Sequence, residues 1–128
     1  MGKPKIVAID DTPFICDTLT AWLKGSYEIR TFLSGKEGLQ YLSDNDVDLV
    51  LLDYEMPAMT GYEVLMSIRT SKKISKIPVI FLTGVTNERM EEEMMARGAS
   101  DFIRKPLDIT MLRQRIEKQL KSHSLDAS

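Results

Sequence analysis

The chain has 128 residues, 43% of them apolar and 28% charged, with a net charge of -2; that is enough for one domain around one hydrophobic core and too short for two comfortable ones. The balance exerts no global pull toward nucleic acid or an anionic membrane, which excludes direct DNA binding as this domain's own task. A single cysteine, Cys16, excludes an internal disulfide and a CxxC-type zinc site and points to a reducing cytoplasm.

The amino terminus enters an apolar run directly, without a signal peptide, and Ile6 stands where myristoylation needs Ser or Thr. No segment approaches the ~20 apolar residues of a membrane span. "KIVAI", Lys5 to Ile9, reads as the first strand. Helix one follows, with Ile15, Leu19 and Leu23 spaced by four on one face, Trp22 extending that stripe and Cys16 as a small core residue. "YEIRTF", Tyr27 to Phe32, alternates apolar and polar residues as a half-exposed edge strand does. Ser34 and Glu37 form an S-x-x-E capping box for helix two, which turns Leu39 and Leu42 inward.

"DLVLL" and "PVIFL" lack polar alternation, so they read as central strands covered on both faces. Helix three runs from about Gly61 and buries Val64, Leu65 and Ile68. Helix four is expected from about Thr86 to Arg97, with Gly98 as its stop. Asp108 can cap helix five, whose Leu112, Ile116 and Leu120 repeat every fourth residue. Residues 1–121 make the domain, and 122–128, "SHSLDAS", lack periodicity and read as a loose tail or the start of a linker.

Strands alternating with single helices pair in parallel through right-handed crossovers. The expected architecture is α/β and flavodoxin-like: a doubly wound five-stranded parallel sheet, order 2-1-3-4-5, with five helices on both faces. Ligands bind such a sheet at the carboxyl ends of its strands, at the switch point between strands one and three.

Strand one ends in Asp10 and Asp11, and strand three ends in Asp53. Two carboxylates at 4 Å repel by about 4 kcal/mol at an effective dielectric of 20, so the cluster needs a proton or a cation. A hard divalent ion, most simply Mg²⁺, satisfies it and leaves room for a phosphate oxygen. Strand four ends in Thr83 and strand five leads to Lys105, so a hydroxyl and an ammonium can reach phosphoryl oxygens in the same pocket. Asp53 is then a candidate carboxylate nucleophile. The Lys105-Pro106 bond is a candidate cis peptide that aims the lysine. Taken singly, these residues also suit a helix cap, a strand former and a loop; their conjunction at the carboxyl ends of four strands carries the reading.

From Lys5 to about Leu120 the chain resembles a receiver domain of the two-component response-regulator family (CheY-like). The motifs that carry the resemblance are "DD" at Asp10-Asp11, "DYEMPAMTG" from Asp53 to Gly61, "TG" at Thr83-Gly84 and "KP" at Lys105-Pro106. The resemblance implies that Asp53 is the phosphoacceptor. It implies that Asp11 and Asp53 ligate Mg²⁺ (or Mn²⁺) directly, Asp10 directly or through water, and that the backbone carbonyl of Glu55 completes the protein ligands. Thr83 and Lys105 would bind the phosphoryl group. Gly84 suits the family's small residue there, and Glu55 and Val85 hold positions that tune phosphate lifetime.

The family's switch aromatic on strand five is here Phe102 rather than the common tyrosine, so a hydrogen-bonded version of the switch has no hydroxyl to use. Phe102 also reads as plain core packing. The resemblance places the output surface in helix four, strand five and helix five. On helix four, Met90, Met94 and Met95 read as core ahead of partner contact, and Glu91 to Glu93 as a solvated face. The sole histidine, His123, falls in the tail and does not suit a phosphodonor. Implied partners are a histidine kinase or histidine phosphotransfer protein and a downstream protein or carboxyl-terminal output domain, with a phosphorylation-dependent homodimer among the outcomes. Neither nucleic acid nor membrane is an expected partner.

Two other classes compete. A haloacid-dehalogenase-type phosphohydrolase also combines Asp, Thr, Lys and acidic ligands, but its nucleophile comes early and its acidic pair late, the reverse of Asp10-Asp11 before Asp53. A phosphorylation-independent interaction module has no reason to keep three clustered carboxylates. Whether the chain is complete or the first part of a longer regulator stays open.

Overall fold

The computed structural model describes residues 2–84 and 87–127. Five strands, β1 (Lys5–Ile9), β2 (Glu28–Phe32), β3 (Leu49–Asp53), β4 (Val79–Thr83) and β5 (Asp101–Arg104), alternate with five helices. These are α1 (Pro13–Leu23), α2 (Gly35–Asp44), α3 (Gly61–Arg69), α4 (Glu88–Ala96) and α5 (Ile109–Ala127). The strands form one parallel sheet in the order β2-β1-β3-β4-β5, the arrangement expected from the sequence.

Successive strand residues face opposite sides of a sheet, and both sides are apolar here. Val7, Ile9, Val50, Leu52, Val79, Phe81 and Phe102 pack with Leu42, Val64, Leu65, Ile68 and Met94, so this face carries α2, α3 and α4. Ile6, Ala8, Leu49, Leu51, Ile80, Leu82 and Ile103 pack on the other face with Leu19, Leu23, Leu112 and Ile116 of α1 and α5. Every residue of β3 and β4 is buried, whereas β2 at the margin has none fully buried. Cys16 is buried and Trp22 is half-buried against the α1/α5 layer.

Helix ends follow local chemistry. Pro13 occupies the first turn of α1, with Thr12 at the N-cap without a side-chain cap bond. Ser34 Oγ accepts from Glu37 N at 3.3 Å, as its motif predicts. Thr60 and Glu63 form a full, reciprocal capping box on α3, whereas at α2 the Glu37 side chain meets the Ser34 hydroxyl instead of the cap backbone. Helix four runs from Glu88, where the Asn87 side chain accepts from Met90 N at 3.2 Å and caps it. Thr86 and Val85 lie outside the described residues. Gly98 has φ +114°, the left-handed conformation that ends α4. Asp108 Oδ2 accepts from Met111 N at 2.9 Å and opens α5. That helix runs to Ala127, through the stretch expected to be loose. No Gly or Pro in 122–127 interrupts it.

Gly61 fixes the start of α3 against the end of β3. A Cβ there would lie 2.6 Å from the Asp53 carbonyl oxygen and 2.8 Å from both Phe81 Cε1 and Tyr54 Cα. Only glycine permits this approach without displacing backbone.

Candidate functional site

The loops at the carboxyl ends of β1, β3, β4 and β5 bring five residues together. Asp10 follows β1 and is 0% exposed; its Oδ1 accepts from Thr12 N at 2.9 Å. Asp53 ends β3, is 2% exposed, and its Oδ1 accepts from Glu55 N at 3.2 Å. Thr83 ends β4, fully buried, and its carbonyl accepts from Lys105 N at 2.8 Å. The Lys105-Pro106 bond is cis. Lys105 Nζ donates to Asp10 Oδ2 at 3.2 Å and to Asp53 Oδ1 at 3.3 Å, bridging residues 95 and 52 positions away in sequence.

Asp10, Asp11 and Asp53 each offer a carboxylate oxygen, all within 4.8 Å of one another. Burial raises the Asp53 pKa to about 6, and the Asp10 charge adds to that rise; Lys105 and the Glu55 amide offset it in part. Burial works against the Lys105 ammonium, but the Asp10 and Asp53 carboxylates outweigh it and hold the lysine above its usual range. Three carboxylates thus face one ammonium. The donor set is all oxygen, closely spaced and negative in excess, which fits a hard divalent cation such as Mg²⁺.

Phe102 is turned inward, 8% exposed, its ring 5.2 Å from that of Phe81, which in turn lies 5.5 Å from the Tyr54 ring. An aromatic chain therefore runs from the residue after Asp53 to β5. Beside it, a groove of about 440 Å³ is lined by residues including Met95, Ile103, Arg104, Met111 and Arg115. Met94 is core, Met90 packs against it half-buried, and Met95 is 47% exposed. Glu92 and Glu93 face solvent, but Glu91 pairs with Arg104 at 2.9 Å. His123 is on α5, lining a cleft with Asp46, Asp48 and Lys76 that includes the residues leading into β3 and β4, at the opposite end of the sheet.

Two further side-chain contacts tie the loops around the sheet. The Glu55 side chain crosses the pocket mouth, its Oε1 accepting from Gly84 N at 3.2 Å. Arg69, at the end of α3, donates to the carbonyls of Gly98 (2.9 and 2.7 Å), Ser75 (3.1 Å) and Ile77 (2.6 Å). Neither contact has a sequence signature, since each joins a polar side chain to distant backbone.

A doubly wound parallel sheet with an acidic pocket, a threonine and a lysine at its switch point defines the class: a flavodoxin-like domain with its site at the strand carboxyl ends. Residues 6–117 match the family described as the response regulator receiver domain, and the chain belongs to that family. It is 38% identical over 122 residues to a probable cyclic di-GMP phosphodiesterase of Vibrio cholerae, covering 95% of this chain but only 28% of that protein. It is 31% identical to the two-component response regulator ORR5 of Oryza sativa subsp. japonica, covering 90% of each. Among solved structures, the chemotaxis protein CheY4 of Vibrio cholerae superposes with a TM-score of 0.87 at 27% identity, over 91% of this chain and 98% of that one. Membership makes this a domain of two-component signalling. No helix among the described residues is long and apolar enough to cross a membrane.

Proposed function

We propose that the chain is a phosphorylation-dependent switch in which Asp53 accepts a phosphoryl group from a phosphohistidine on a histidine kinase or phosphotransfer protein. The observation that carries this reading is the buried Asp53 carboxylate held at the strand end by Lys105, within a cluster of three carboxylates. A carboxylate oxygen of Asp53 attacks phosphorus as the phosphorus-nitrogen bond to the donor imidazole breaks, and the electron pair stays on that nitrogen, which takes up a proton. Lys105 and the Thr83 hydroxyl stabilise charge on the transferring oxygens, and the Glu55 amide orients Asp53. Asp10, Asp11, Asp53 and the Glu55 carbonyl would hold Mg²⁺ (or Mn²⁺), which supplies charge neutralisation at the phosphoryl oxygens when bound.

The switch then acts through Thr83 and Phe102 on the α4-β5-α5 surface, where the Phe81-Phe102 contact gives a packed path from the pocket. Residues 1–121 form the receiver unit, with 122–128 as tail or linker, in a cytoplasmic setting. The output is an attached domain, a separate protein or a homodimer; relatives of both lengths support either of the first two.

Intact-mass spectrometry after incubation with Mg²⁺ and acetyl phosphate tests the reading, alongside Asp53→Asn. A single Mg²⁺-dependent phosphoryl adduct, absent in the variant, is expected. No adduct, with a donor active on a control receiver, would favour a phosphorylation-independent interaction module.

A further inference from the structure

The two ends of α4 are held very differently. Its carboxyl end is stitched to α3, β4 and α5. Arg69 of α3 donates from Nε and Nη2 to the Gly98 carbonyl at 2.9 and 2.7 Å, and Arg97 Nη1 donates to the Tyr62 hydroxyl at 3.2 Å. Ser100 exchanges bonds with Val79 at the start of β4, its N–H reaching the Val79 carbonyl at 2.8 Å and its Oγ accepting from Val79 N at 3.0 Å. From α5, Gln119 Nε2 donates to the Ser100 carbonyl at 3.2 Å and Arg115 Nη1 to Asp101 Oδ1 at 2.7 Å. The bare Cα of Gly98 makes room for the guanidinium, since a Cβ there would lie 2.9 Å from Arg69 Nε.

The amino end lacks such stitching. Asn87 caps its own helix, and Arg89 faces Glu93 one turn on, at 4.0 Å. Among the described residues, the polar tie from this half of α4 to another element is the Glu91–Arg104 ion pair at 2.9 Å, whose side chains are 23% and 51% exposed. A pair this exposed is weak, so it sets a resting position that a modest force can leave. The amino end is also the one nearest the pocket in the chain, since β4 ends in Thr83 and α4 begins at Glu88. A displacement at Thr83 therefore pulls on the loosely held end, and the stitched end resists.

We infer that α4 is a lever: Gly98–Asp101 is its fixed hinge, the Glu91–Arg104 pair is the latch that holds its amino end to β5, and phosphorylation releases the latch and swings that end. The inference rests on the phosphoacceptor reading and deepens it, making Arg69 the residue that fixes the hinge and Arg104 the residue that sets the latch. A hinged rod moves in proportion to distance from its hinge, which separates a swing from a sliding helix. The nine residues of α4 rise about 13 Å, so a turn of about 15° carries the amino end about 3 Å and position 96 less than about 1 Å.

Distances between paired spin labels test it, with Lys118→Cys on α5 as the reference and either Arg89→Cys or Ala96→Cys on α4. All three positions are exposed, whereas the native Cys16 is 4% exposed and shielded from the label. Each protein is measured before and after acetyl phosphate and Mg²⁺, with intact mass reporting the adduct in the same sample. On phosphorylation the 89–118 distance is expected to shift by about 3 Å and the 96–118 distance by less than about 1 Å. Without any donor, Arg104→Ala is expected to move the 89–118 distribution toward its phosphorylated position and to leave 96–118 in place. Arg69→Lys, whose ammonium holds fewer carbonyls, lets 96–118 shift on phosphorylation as well. Equal shifts at both positions in the otherwise native chain overturn the hinge, and a native response in Arg69→Lys overturns Arg69 as what fixes it. An Arg104→Ala distribution identical to the native one overturns the latch. A chain that takes no phosphoryl group defeats the phosphoacceptor reading and the driven swing with it, while the Arg104→Ala comparison, which needs no donor, still decides the latch.

Discussion

Asp53 is held in tension with its surroundings, and the sign of that tension is testable. Its pKa rises from 3.8 to about 6 in the folded chain, so between those values the folded state binds the extra proton. The stability contributed by protonated Asp53 is complete below about pH 4 and is lost as pH rises through about 6. At pH 7 the ionised carboxylate therefore costs about 3 kcal/mol. Asp53→Asn is expected to stabilise the metal-free protein by about 2–3 kcal/mol at pH 7, with the gain vanishing near pH 4. Urea unfolding in EDTA at both values checks it; an equal gain at both would mean that burial does not govern this group. Lys105→Met has the opposite effect. Removing the ammonium strands two buried carboxylates at a cost of about 3–5 kcal/mol, part of which millimolar Mg²⁺ restores. Thermal melts with and without Mg²⁺ decide it, and a variant melting like wild type in EDTA would show the ion pair to be idle.

At the scale of elements, the site depends on contacts that anchor helix ends to loops. The Arg69 guanidinium ties α3 to the segment before β4 and to the turn after α4. Arg69→Ala leaves three carbonyls without this donor and should cost about 2–4 kcal/mol, with Arg69→Lys recovering only a fraction because an ammonium cannot span all three. Chemical denaturation of the pair measures it. Gly61→Ala pushes a Cβ into the Asp53 carbonyl and should lower the phosphorylation rate as well as stability, by about 1–3 kcal/mol for the latter; a variant as stable and as reactive as wild type would mean that the loop yields freely. The elements themselves were legible because burial imposes periods, two in β2 and four in α1 and α5, and no polar alternation in β3 and β4. Asp10, Asp53, Thr83 and Lys105 were legible because strand ends are. Arg69 and the Glu55 side chain were not, since their partners are backbone atoms 29 residues away in two of these contacts. The α5 extension leaves no such mark: apolar periodicity lapses after Leu120, yet a stretch without Gly or Pro continues the helix to Ala127.

Across the whole molecule, burial is graded. The central strands β3 and β4 are buried at every position, while α4 buries only Met94 and carries Glu88, Arg89, Glu92 and Glu93 in solvent. By contrast α3, of equal length, buries Gly61, Val64, Leu65 and Ile68. An element with one buried anchor opens at lower free energy than one with four, because opening it exposes less apolar surface. The weakest helix thus lies beside the aromatic path from Tyr54 through Phe81 to Phe102. A small displacement at the pocket meets little resistance there and a great deal in the central strands. Hydrogen-deuterium exchange should therefore show the amides of 49–53 and 79–83 protected to the limit of global unfolding and those of 88–96 exchanging fastest among the helices. Phosphorylation should then change protection in 88–104 more than in 61–69. Equal protection of α3 and α4, or a phosphorylation response centred on α3, would place the yielding element elsewhere and break the proposed link between local stability and signal output.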